Sequence, residues 1–109
     1  MAHKRVRVLF SRRAERDLHE IYHYLSVHAP SVLGQVDQKI FKVLRRLEQF
    51  PQSGHWVKEF SGKRYREILV YHYRLIYRYL EKRNRVQILT LRHGKRFLPS
   101  FPDTAAGRE

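Results

Sequence analysis

The best capacity for chemistry in this chain lies in Arg66, Arg74, Arg78, Arg92, His93, Lys95 and Arg96, all on or just beyond three short alternating runs. Tyr65, Tyr71, Tyr73, Tyr77 and Tyr79 stand among them, with His72. Guanidinium forks take carboxylate or phosphate oxygens two at a time. Tyrosines beside them suit stacked bases or a protein hot spot. Leu75, Tyr77 and Tyr79 are expected to fill a thin core and leave only hydroxyls in water. The arginines are harder to bury. They are therefore the candidates for contact with a nucleic acid or an acidic protein segment.

A second constellation is His19-Glu20-Ile21-Tyr22-His23, which has the HExxH spacing of zinc hydrolases. On a helix that spacing sets two imidazoles one turn apart, with the glutamate as general base. At ~100° per residue, however, both histidines fall roughly 110–150° from the apolar stripe through Leu18 and Leu25. No third ligand has compelling spacing, Glu48 being the one nominee. A surface coincidence is expected, with no metal and no cofactor. Glu15, Asp17 and Glu20 interleave with Arg12, Arg13 and Arg16 as helix-face pairs worth tenths of a kcal/mol. The acidic residues form no other spaced pair, so paired-carboxylate catalysis is not expected. Neither GxxxxGKS nor GxGxxG occurs, Gly94-Lys95 alone is too little for a nucleotide pocket, and no serine has a GxSxG setting. The absence of cysteine excludes disulfides, thiolate metal sites and cysteine nucleophiles.

Charge is the strongest compositional feature. Lys and Arg number 23 against 10 acidic residues, a net of +13, and 16 of the 23 are Arg. The cations run from the first strand to the tail, so they do not form a detachable arm. Self-repulsion on this scale suggests a polyanionic or acidic partner. The first ten residues carry charge but no apolar signal core, and no stretch approaches the ~18 apolar residues of a membrane span. A cytoplasmic protein with no membrane partner is expected.

The elements that must position these residues follow from periodicity. Val6, Val8 and Phe10 alternate as a first strand. Ser11 is a good N-cap for a helix along Ala14, Leu18, Ile21, Tyr22 and Leu25. Ala29-Pro30-Ser31 turns the chain into a second helix along Val32, Val36, Ile40, Val43, Leu44 and Leu47. Phe50-Pro51-Gln52-Ser53-Gly54 ends that helix. His55 to Phe60 is a weak strand or extended segment, and Ser61-Gly62-Lys63 a turn. Arg66, Ile68 and Val70 then alternate with Glu67, Leu69 and Tyr71. Leu75, Tyr77 and Tyr79 alternate with Arg74, Ile76 and Arg78. Glu81 to Asn84 connects to a last strand, Val86 to His93. The expected fold is α+β in the order β-α-α-β-β-β, a helical hairpin packed on one face of an antiparallel sheet. One domain over residues 1–99 and a loosely ordered tail over 100–109 complete the reading.

Taken together, these residues resemble the bacterial RelE/ParE superfamily of type II toxin–antitoxin toxins, most closely its ParE branch. The carrying residues are Val8-Leu9-Phe10-Ser11 leading to Ala14, Asp17-Leu18 and Ile21-Tyr22-Tyr24, then Leu47, Phe50-Pro51 and Gly54. Tyr65-Arg66-Glu67, Tyr73-Arg74-Leu75-Ile76-Tyr77 and His93-Gly94-x-Arg96 continue the pattern. The similarity spans about Val6 to Pro99. It implies a toxin that acts on DNA gyrase by protein binding, with no catalytic residue of its own, neutralised by a cognate acidic antitoxin. RelE-like members instead cut mRNA on the ribosome. For that alternative the resemblance nominates Arg74, His93 and Arg96. Where RelE-like toxins place a late tyrosine this chain has Phe97, Phe101 and Pro102, and phenylalanine cannot transfer a proton. Under the binding reading Arg66, Arg74, Arg78, Arg92, His93, Lys95 and Arg96 contact target or antitoxin.

Overall fold

The computed structural model describes residues 5–94. Lys95, Arg96 and the expected tail lie outside them. The elements are β1 (Arg7–Phe10), α1 (Arg12–His28), α2 (Pro30–Gln49), β2 (His55–Trp56), β3 (Arg66–Val70), β4 (Tyr73–Leu80) and β5 (Arg85–His93), with a 3-10 turn at Glu81–Arg83 before β5. Ser11 caps α1, its Oγ accepting the Ala14 N–H at 3.0 Å. α2 opens on Pro30, whose missing N–H has no helical acceptor at that position in any case. Val36, Ile40, Val43 and Leu47 are the buried residues of α2, at the spacing of one helical face.

The five strands form one sheet in the order β1-β5-β4-β3-β2. β2 to β5 make the expected antiparallel meander. β1, however, pairs with β5 in parallel, Val8 opposite Val86 and Phe10 opposite Ile88. The sheet is therefore mixed, which corrects the expectation of a purely antiparallel one. A strand joined to the rest through two helices is free of the hairpin constraint and docks parallel. The helices and the sheet bury one continuous core, in which Leu75, Tyr77, Val86, Ile88 and Leu91 meet Val36, Ile40 and Leu47. A smaller cluster joins Ile76 and Leu89 to Val57 and Tyr65, with Phe60 packed against it. The segment between β2 and β3 thus covers part of the other face.

The β4–β5 register slips at Ile76/Tyr77. Ile76 faces Thr90 and Tyr77 faces Ile88, so Leu89 has no partner. Such a bulge disrupts the ladder and leaves backbone groups to satisfy. α1 supplies the partners. Ser11 Oγ donates to the Leu89 carbonyl at 2.9 Å. Asp17 accepts from the Thr90 hydroxyl and, at 3.2 Å, from the Leu91 N–H. Asp17 therefore fastens α1 to β5 and is more than a helix-face partner for neighbouring arginines.

Candidate functional site

The arginines fall into three settings. Arg74, in mid-sheet, is buried at 8% exposure. Its Nε donates to Glu67 at 2.6 Å and its Nη1 to Glu59 at 2.8 Å. Nη2 reaches the second oxygen of Glu59 at 2.9 Å and that of Glu67 at 3.0 Å. Both carboxylates are thus held bidentately by one guanidinium. Glu67 comes from β3, the strand paired with β4, whereas Glu59 comes from the segment that covers the small second core. The hydrogen bond from Arg74 holds the Glu59 carboxyl below the ordinary carboxylate range, against the opposing effect of burial. Reciprocally, the bonds to Glu59 and then Glu67 raise the Arg74 pKa. Sequence reading did not join Glu59 to Glu67 because a turn separates them, so no one periodic element carries both. The available signal was two glutamates flanking a turn in an otherwise basic region.

Arg92 and His93 lie at the end of β5, beside α1. With Tyr73 and Leu91 they line one wall of a cleft of about 490 Å³ whose other wall is Asp17, Glu20, Ile21 and Tyr24. His93 faces Tyr73 edge-on at 5.9 Å between ring centres, and His72 is 6.2 Å away. Arg92 sits opposite Arg74 in the ladder. Its Nε is buried with no hydrogen-bond partner among the described residues. Beside the cleft, Tyr71 adopts φ +58° in the two-residue turn between β3 and β4, a left-handed conformation uncommon for a bulky side chain. Arg92 and His93 thus both line this cleft, and Arg92 is at the same time the ladder partner of Arg74, which is held in its carboxylate cage.

Arg66 and Arg78 belong to the opposite end of the meander. Arg66 stacks its guanidinium over the Trp56 ring, 3.7 Å from the centroid. Its Nη1 donates to the Gly54 carbonyl at 2.9 Å. The Gly54 N–H in turn donates to the Tyr77 hydroxyl at 2.9 Å. A Cβ at Gly54 would lie 2.7 Å from that hydroxyl and 2.9 Å from the Glu67 carbonyl, so only glycine fits between β2, β3 and β4. Burial raises the Tyr77 pKa, while the Gly54 bond and then Arg66 and Arg46 act against it. Arg78 lines a cleft with Arg64, Tyr65 and Tyr79. Trp56 is the functional candidate that sequence reasoning missed, since a two-residue strand carries no periodicity.

His19, Glu20 and His23 are exposed on α1. Among the described residues no three His, Asp or Glu side chains converge to hold a metal ion, and no helix is long and apolar enough to cross a membrane.

Between α1 and α2 runs an apolar groove of about 490 Å³, lined by Phe10, Leu18, Tyr22, Ile40, Phe41 and Leu44. Phe41 is 60% exposed there. Tyr22 donates to Asp37 at 2.6 Å across the groove. Burial, then that bond, raises the Tyr22 pKa.

Against this geometry, residues 8–97 match the family model described as the ParE toxin of the type II toxin–antitoxin system parDE. The chain belongs to the ParE toxin family. Its structural neighbours agree in fold. The chromosomal ParDE system of P. aeruginosa superposes with a TM-score of 0.62 at 21% identity, covering 84% of this chain and 98% of that one. The RelBE2 toxin–antitoxin complex of Mycobacterium tuberculosis gives 0.60 at 24%, over 84% and 94%. A metal-bound toxin of Helicobacter pylori gives 0.59 at 18%, over 81% and 93%. No curated protein sequence matches the chain. As a ParE-family chain, the protein is a toxin of a type II toxin–antitoxin module, with two helices packed on a five-stranded mixed sheet.

Proposed function

We propose that this ParE-family toxin inhibits DNA gyrase by protein contact, catalyses no reaction itself, and is silenced by an acidic antitoxin segment. The observation that carries the reading is the caging of Arg74. A ribonuclease of the RelE type needs cations free to meet a phosphate in flight. Here Glu59 and Glu67 already occupy the Arg74 fork at 2.6–3.0 Å. His93 stands beside Arg92 in the α1–β5 cleft, where the nearby carboxylates Asp17 and Glu20 would repel an RNA backbone. A protein surface tolerates such mixed charge far better.

The antitoxin partner follows from the apolar groove between the helices and from the net charge of +13. An amphipathic acidic segment would seat its apolar side on Phe41 and Leu44 and its carboxylates beside Lys42. Charge would speed the encounter, and folding on the groove would set its specificity. The neighbouring structures from P. aeruginosa and M. tuberculosis are toxin–antitoxin systems, which supports a partner of this kind.

The test is a gyrase assay with purified toxin, plasmid and ATP. Loss of supercoiling with accumulated linear plasmid is the expected result. A folded, antitoxin-free toxin that leaves gyrase untouched yet cuts mRNA on ribosomes would overturn it. In that case His93→Phe should abolish the cleavage.

A further inference from the structure

At the end of the meander away from the α1–β5 cleft, two clefts of about 120 and 330 Å³ adjoin through Arg64 and Tyr79. Trp56, Lys63 and Arg66 line the smaller and Arg78 the larger. The acidic residue at their rim is Glu81. Cations there outnumber carboxylates, and the aromatic rings lie between them. From this juxtaposition we propose that the end of the sheet around Trp56, Lys63, Arg66, Arg78 and Tyr79 binds single-stranded nucleic acid. The proposal goes beyond the gyrase reading and does not depend on it.

Three features favour a single strand over other polyanions. Trp56 is 39% exposed and already carries a guanidinium on one face. The Trp56–Arg66 stack is fixed from behind by the Arg66–Gly54 bond, so it is organised before any ligand arrives. A base can extend such a stack because every base has a π-face. Duplex DNA keeps its bases stacked on one another and offers this platform only phosphates. Finally, Lys63, Arg64, Arg66 and Arg78 are spread over two adjoining clefts and not gathered at one point, which an extended flexible backbone can span.

The chain's single tryptophan is Trp56, so its emission reports this site alone. We would titrate the full chain with a twelve-nucleotide oligo-dT, the matching oligo-U and a duplex of equal length, reading tryptophan emission and the anisotropy of a labelled strand. Quenching that follows the anisotropy for either single strand, with affinity falling as salt rises, is expected. The stronger of the two strands identifies DNA or RNA as the natural source. The double variant Lys63→Asn with Arg78→Gln should weaken binding about tenfold at low salt and flatten the salt dependence by roughly one phosphate contact per cation removed. Asparagine is chosen because Lys63 sits at φ +51°, where it is well tolerated. Circular dichroism checks the fold of the variant. Trp56→Phe, which keeps a ring, should retain most of the affinity while losing the emission signal. Binding without quenching, binding unchanged in the folded double variant, binding of duplex alone, or no binding at low salt would each overturn the proposal. No topoisomerase enters the measurement, so its outcome is separate from that of the gyrase assay.

Discussion

Arg74 and Arg66 lie on adjacent strands of one sheet, and their surroundings differ in kind. Arg74 is enclosed by two glutamates, one from the neighbouring strand and one from the covering segment. Arg66 rests on an indole and a backbone carbonyl, neither of which cancels its charge. The first cation is neutralised within the fold and holds the small second core in place. The second remains a net positive group on an aromatic platform. A sequence with +13 therefore does not present all of its charge to partners. What a basic residue does here is decided by whether a carboxylate reaches it.

The sharpest way to break this comparison is Arg74→Met. Removing the cation leaves Glu67 and Glu59 converging on an apolar side chain, and breaking a buried ion pair costs about 3 kcal/mol. Chemical denaturation should show a loss of that order, whereas Arg78→Met should cost no more than about 0.5 kcal/mol as a partly exposed surface change. If Arg74→Met instead kept full stability and abolished gyrase inhibition, Arg74 would be a contact residue and the contrast would fail.

Gly54→Ala probes the Arg66 setting, since Gly54 bonds both Tyr77 and Arg66. The added methyl must push apart the Tyr77 hydroxyl and the Glu67 carbonyl. Overpacking of this kind costs about 2 kcal/mol. It should also tilt Arg66 off the indole, so a shift in Trp56 emission ought to accompany the lower denaturation midpoint. An alanine variant with unchanged midpoint and emission would show that Gly54 does not hold Arg66 on the indole.

The extent to which these settings were legible in the chain follows physical lines. Helix periodicity selected Val36, Ile40, Val43 and Leu47, and all are buried. Strand alternation separated Arg74, Ile76 and Arg78 from Leu75 and Tyr77, whose core is the larger one. Alternation carries no information about which way a distant strand runs, so the parallel β1–β5 pair was invisible. Nor was the bulge read, although the adjacent apolar pair Ile88-Leu89 breaks the alternation between Val86 and Leu91. The Arg74 cage and the Asp17 anchor depend on contacts across 15 and 73 residues. Such pairs are fixed only by the assembled fold.

The subtlest test concerns Glu59 alone. Its carboxyl is about half exposed, so its bond to Arg74 is weaker in effect than that of Glu67, whose side chain is 17% exposed. Its pKa is depressed in the folded state. The stabilisation it lends is therefore complete above the unfolded carboxylate value and is lost as pH falls through the lower, folded value. Solvent screening at a half-exposed pair limits this contribution to below about 1 kcal/mol. Glu59→Gln should lower stability at pH 7 by that small amount, and the difference from the parent should vanish in acid. Because Glu67 still holds the guanidinium, the variant should not gain affinity for single strands at Arg74. A clear gain would mean that Glu59 is a removable cover over a second cation, and that the two arginine settings differ in degree and not in kind.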